Sequence, residues 1–175
     1  MSHRISEGDE IAFIVHVADA DAARAAEQDG AKALAADAPI AGLREATSLP
    51  VLWLGGGAPV EADAVAIRPD EDGGVPGDGL ETVVDVRDED ELERALEELD
   101  PEIFLISPRA DEDDADAIES VLELLPDVPA GKLAIADVAV ATRDEVVTLE
   151  RAGFDAVLVP PGRVHELVGS APPDV

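Results

Sequence analysis

The sequence predicts one α/β domain over residues 1–175, built on eight parallel strands closed into a barrel, with helices missing or very short after the third and fourth strands. Three observations predict it. Eight short apolar runs recur along the chain, amphipathic helical stretches separate most of them, and two connections cannot hold a helix. Barrels of this type normally need 200 residues or more, so a chain of 175 residues implies a reduced one. An open, doubly wound sheet is the alternative arrangement of the same elements.

The runs are Ile11–Val17, Ala31–Ala36, Val51–Leu54, Ala64–Ile67, Thr82–Val86, Ile103–Ile106, Leu133–Ala136 and Ala156–Val159. Most are apolar at successive positions and rich in Val, Ile or Leu, as strands covered on both faces must be. An Ala-rich helix is expected from about Asp21 to Gln28 and a short one from Ala41 to Ala46. Asp88 opens the next with Glu91 as its capping-box partner, and Leu92, Ala95, Leu96 and Leu99 follow on one face. Asp114 to Leu125 carries Ile118, Val121, Leu122 and Leu125 on one stripe before Pro126. Thr142 and Glu145 repeat the capping box ahead of Val146, Leu149 and Ala152, with Gly153 as the stop.

The two exceptions follow the third and fourth runs. Gly55 to Asp63 is shorter than the dozen or so residues of a helical crossover. Residues 69–79, PDEDGGVPGDG, have no apolar periodicity and too many breakers. Residues 1–9 and 170–175 read as flexible tails.

Composition narrows the function classes. There are 41 acidic side chains against 12 basic ones, a formal charge of −29. Such a field repels nucleic-acid phosphates and anionic lipid, so neither is an expected partner. It also destabilises a folded domain unless counterions screen it, and at molar salt the Debye length falls to about 3 Å. A halophilic cytoplasm is therefore the expected setting. There is no cysteine, which removes disulfides, thiolate metal sites and thiol nucleophiles. The first ten residues, MSHRISEGDE, lack the apolar run of a signal peptide. No apolar stretch approaches the roughly 18–20 residues of a membrane helix.

The stretch 83–99, VVDVRDEDELERALEEL, resembles the fifth strand and helix of indole-3-glycerol phosphate synthase, a barrel enzyme of tryptophan biosynthesis. The resemblance continues through IFLISPR at 103–109, LAIADVAVATRDEV at 133–146 and ERAGFDAVLVPPGRV at 150–164. It is looser earlier, where Leu49 to Leu54 is similar to the third strand and Ile11 to His16 can be laid on the first. Large deletions stand where the family's third and fourth helices belong.

The resemblance implies a reaction that closes a ring and expels carbon dioxide and water. That chemistry needs a cationic acid, a carboxylate base and a phosphate cradle at the C-terminal face of the barrel. Matched to the family, the first-strand Glu and Lys fall on Phe13 and Val15, and the third-strand Lys falls on Leu54. The fifth-strand Glu becomes Asp85, and the sixth-strand Asn becomes Ser107 with its Arg kept as Arg109. The seventh-strand Glu-Ser-Gly reads Asp137, Val138, Ala139, and the eighth-strand Gly-Ser of the phosphate site reads Pro160, Pro161. Leu cannot donate a proton, and two prolines remove two backbone N–H donors from the cradle. The implied protein is a degenerate barrel, non-catalytic, serving interaction or ligand binding; the alternative is an active synthase or a related lyase or isomerase with a rearranged site.

The candidate acid–base residues are thus Asp85, Asp137 and His16, with Ser107 and Arg109 as ligand-binding candidates; Asp85 and Asp137 are expected to face each other near Arg109. No metal or cofactor is expected. Gly55–Gly57 is more simply a compact replacement for a deleted segment than an anion nest. The acidic loop Asp70–Asp78 lacks the spacing of a calcium loop. Trp53 is expected to pack. Losing two helices is expected to bare the barrel flank at strands 3 and 4 and to invite self-association or a protein partner there.

Overall fold

In the computed structural model, which describes residues 1–8, 10–56, 58–69, 79–109 and 114–168, the strands close a ring in chain order. They are β1 (Ala12–His16), β2 (Ala33–Ala36), β3 (Val51–Trp53), β4 (Ala64–Ile67), β5 (Glu81–Val86), β6 (Ile103–Ile106), β7 (Leu133–Ala136) and β8 (Ala156–Val159). Every neighbouring pair is parallel, and β1 pairs with β8 to complete the circle. The open-sheet alternative is excluded.

Alternation along each strand divides the core in two. Ala12, Ile14, Ala33, Ala35, Leu52, Ala64, Val83, Ile103, Leu105, Ile135 and Ala156 fill the lumen. Val15, Leu34, Val51, Val84, Phe104, Ala134 and Val157 point outward and pack beneath the helices. Those helices are α1 (Ser2–Ile5), α2 (Ala20–Gln28), α3 (Leu43–Ala46), α4 (Glu89–Glu98), α5 (Asp114–Leu124), α6 (Arg143–Ala152) and α7 (Val164–Val168). The two expected caps form. The Asp88 side chain accepts from the Glu91 amide, and Thr142 with Glu145 makes a full capping box. Gly153 ends α6 at φ 114°, a left-handed conformation that a side chain would strain.

Among the described residues no helix joins β3 to β4 or β4 to β5. The acidic loop 70–78 lies outside the described residues, as do Gly57 and residues 170–175. The flank at β3 and β4 is nevertheless covered within the chain: Val51, Trp53 and Val65 are 0%, 3% and 6% exposed. Val60 is the one large apolar side chain well exposed in this region among the described residues. Ala66 and Ile67 on β4 are half-buried.

The residues expected as an N-terminal tail are instead ordered as α1. Ile5 is 2% exposed and joins the lumen cluster. The Ser2 hydroxyl donates to Glu81 at 2.5 Å and its amide to the same carboxylate at 2.8 Å, while the Met1 amino group lies 2.5 Å away. Burial opposes the charge on Glu81, but these donors win and hold its carboxyl below its ordinary range. Alanines supply much of the lumen, so Ile5 closes its lower end with volume the strands lack.

Candidate functional site

The upper rim is set by the residues that continue the lumen-facing alternation past each strand. On β5 that residue is Asp85. Ser107 and Asp137 directly follow β6 and β7, and their amides donate to Val86 and Ile106 of the preceding strands. The three side chains meet. Ser107, 6% exposed, places its hydroxyl 2.6 Å from one oxygen of Asp85 and 3.2 Å from one of Asp137. Burial pushes the Asp137 carboxyl up, and the Asp85 carboxylate pushes the same way; Ser107, His16 and Arg87 offset only part of it.

A cation that the sequence reading did not single out stands beside this pair. Arg87 lies 3.7 Å from Asp85, on the same strand edge and two residues on. Arg109 is exposed and lines, together with Arg87, a cavity of about 500 Å³ between α4 and α5 that Asp88, Asp116, Glu119 and Glu123 also line.

His16 closes β1 and finds a partner that the sequence did not suggest: its Nε2 lies 3.6 Å from Asp37, just past β2. Asp37 and Arg87 were both missed. Each sits two positions beyond a lumen-facing residue, which is the signal that finds them. Arg68, past β4, reaches Glu91 at 2.9 Å.

The first-strand match is shifted by one residue. Phe13 and Val15 belong to the outer layer, whereas Ala12 and Ile14 line the lumen and His16 stands at the rim. Leu54 packs against the lumen cluster, as expected for the third-strand position. Pro160 and Pro161 are exposed after β8, and the helix that follows has only five residues. Both lysines lie at the opposite end of the barrel. Lys32 precedes β2, and Lys132 precedes β7, bound to Asp100 at 2.9 Å. Among the described residues no three His, Asp or Glu side chains converge to hold a metal ion, and no helix is long and apolar enough to cross a membrane.

The loop after β3 fixes Asp37. A Cβ built on Gly55 would stand 2.2 Å from the Asp37 carbonyl oxygen, whereas one on Gly56 would meet nothing within 4 Å. Gly55→Ala is therefore expected to lower stability by about 1–3 kcal/mol through overpacking against backbone. Denaturant titration in molar KCl should show that loss, with Gly56→Ala close to wild type.

No family model matches the chain. Over 83 residues, 47% of the chain and 31% of the relative, it is 40% identical to an indole-3-glycerol phosphate synthase of Variovorax paradoxus (strain S110). The synthase of Pelodictyon phaeoclathratiforme is 34% identical over 84 residues, 48% of the chain and 32% of the relative. That of Geobacillus sp. (strain WCH70) is 32% identical over 81 residues, 46% and 31%. The match thus spans about a third of each curated relative. The chain is an eight-stranded parallel barrel similar, across about half its length, to indole-3-glycerol phosphate synthases.

Proposed function

We propose that this chain is a degenerate indole-3-glycerol-phosphate-synthase-like barrel that does not run the synthase reaction and instead binds a small molecule or a protein at its mouth. One observation carries the reading: the rim has no ammonium group. Leu54 stands where the third-strand acid is expected, and both lysines sit at the far end. Expelling water from the ring-closed intermediate needs a proton donor beside the departing oxygen, and an alkyl side chain offers none. The phosphate cradle is weakened in the same way, since Pro160 and Pro161 have no N–H to offer and the short helix after them adds little dipole.

The carboxylates are displaced as well. Asp at 85 and 137 is one methylene shorter than the Glu the resemblance implies, and a shift of about 1 Å costs on the order of a hundredfold in rate. The acidic surplus supports a salt-rich cytoplasm as the setting. Persistence of Asp85, Asp137 and an arginine supports the second reading, an active lyase with a rearranged site.

Complementation separates the two. A tryptophan auxotroph lacking its synthase is expected not to grow when it carries this chain, assayed in a halophilic host so that the protein folds. Growth overturns the non-catalytic reading.

A further inference from the structure

The Ser107 hydroxyl lies within hydrogen-bond distance of two carboxylates, yet it has one hydrogen. At 2.6 Å that hydrogen belongs to Asp85. The 3.2 Å contact to Asp137 then has no proton of its own unless Asp137 supplies one. We propose that Asp85, Ser107 and Asp137 hold a single proton between the two carboxylates, with Asp137 as the acid and Asp85 as the ionised partner, forming a proton-sensing pair that sets the charge at the mouth.

The surroundings favour this assignment. Arg87, directly after β5, stands against Asp85 and stabilises its negative form. Asp137 is reached across the mouth by His16 from β1 and by the Asp85 and Arg87 charges from β5, with Ser107 beside it from β6. The adjoining end of β8 offers Pro160, which carries no charge. Burial and the nearby like charge both resist ionisation of Asp137. With the proton in place, Asp85 and Arg87 cancel. When Asp137 loses it, the mouth gains one negative charge, and two carboxylates compete for one hydroxyl. The device belongs to the folded chain and does not depend on whether the barrel is catalytic.

The linkage has a definite sign. The Asp137 carboxyl titrates higher in the folded chain than in the unfolded one, so its favourable contribution is complete below the ordinary carboxylate range and fades as pH rises through the folded midpoint.

Carbon-detected NMR of the aspartate carboxyls in molar KCl tests the proposal. Asp137 is expected to titrate above the ordinary aspartate range, with the Asp85 resonance responding at the same midpoint. In Asp85→Asn the Asp137 midpoint should fall, because the like charge is gone. An Asp137 midpoint unchanged by Asp85→Asn, or an Asp85 signal blind to it in the wild type, overturns the shared proton. Should Asp85→Asn fail to fold, the wild-type titration decides alone. Asp137→Asn gives an independent reading: above the measured Asp137 midpoint it should melt higher than wild type, and the reverse order counts against the pair.

Discussion

Dialysed from molar KCl into dilute buffer, the chain is expected to lose most of its far-UV circular dichroism and to regain it when salt returns. The formal charge of −29 is spread along the sequence. In dilute salt each carboxylate feels neighbours beyond about 10 Å, whereas at 1 M the range is about 3 Å. Several cations are already engaged in pairs, among them Arg44 with Asp63 at 2.7 Å, Arg68 with Glu91 at 2.9 Å and Lys132 with Asp100. Pairs near the surface contribute roughly 0–1 kcal/mol each and do not offset the surplus. A folded stability of about 5–15 kcal/mol leaves little to set against general repulsion. Full structure and an unchanged melting temperature without salt would remove the halophilic reading.

Phe104→Ala is expected to cost about 3–5 kcal/mol, enough to abolish folding outside strong salt. Phe104 is 0% exposed, faces outward from β6 into the layer beneath the helices and pairs in register with Val84 and Ala134. The sequence has three phenylalanines and one tryptophan, so the layer beneath the helices has few large side chains to collapse into the gap. Denaturant midpoints in molar KCl measure the loss, and a change below about 1 kcal/mol would mean that the site relaxes around the cavity.

The ring itself was legible in the residues. Strands covered on both faces read as uninterrupted apolar runs, and all eight runs became strands, shortened by one or two residues at Ile11–Val17, Ala31–Ala36 and Val51–Leu54 and lengthened by one at Thr82–Val86. That same property hid the first-strand register. In Ile11 to Val15 every residue is apolar, so nothing in the pattern says which positions face the lumen. The family match placed functional positions on Phe13 and Val15, which face outward, whereas Ile14 lines the lumen and His16 stands at the rim. Strands that end in charge were easier, and Asp85 and Asp137 came together as expected through Ser107. Arg87 could have been found by counting two residues on from Asp85. The first and last helices could not be found by periodicity, since α1 has one buried apolar residue and α7 has barely more than one turn.

A circle of strands has no outermost member. With β1 joined to β8, each of these apolar segments has a hydrogen-bonded neighbour on both sides inside the same molecule. Withdrawing salt pushes the circle apart, and whichever seam parts first presents two unpaired strand borders made of Val, Ile, Leu and Ala. Such borders are templates for another molecule's strands. Desalted samples are therefore expected to sediment as aggregates at high protein concentration and as single open chains only when dilute.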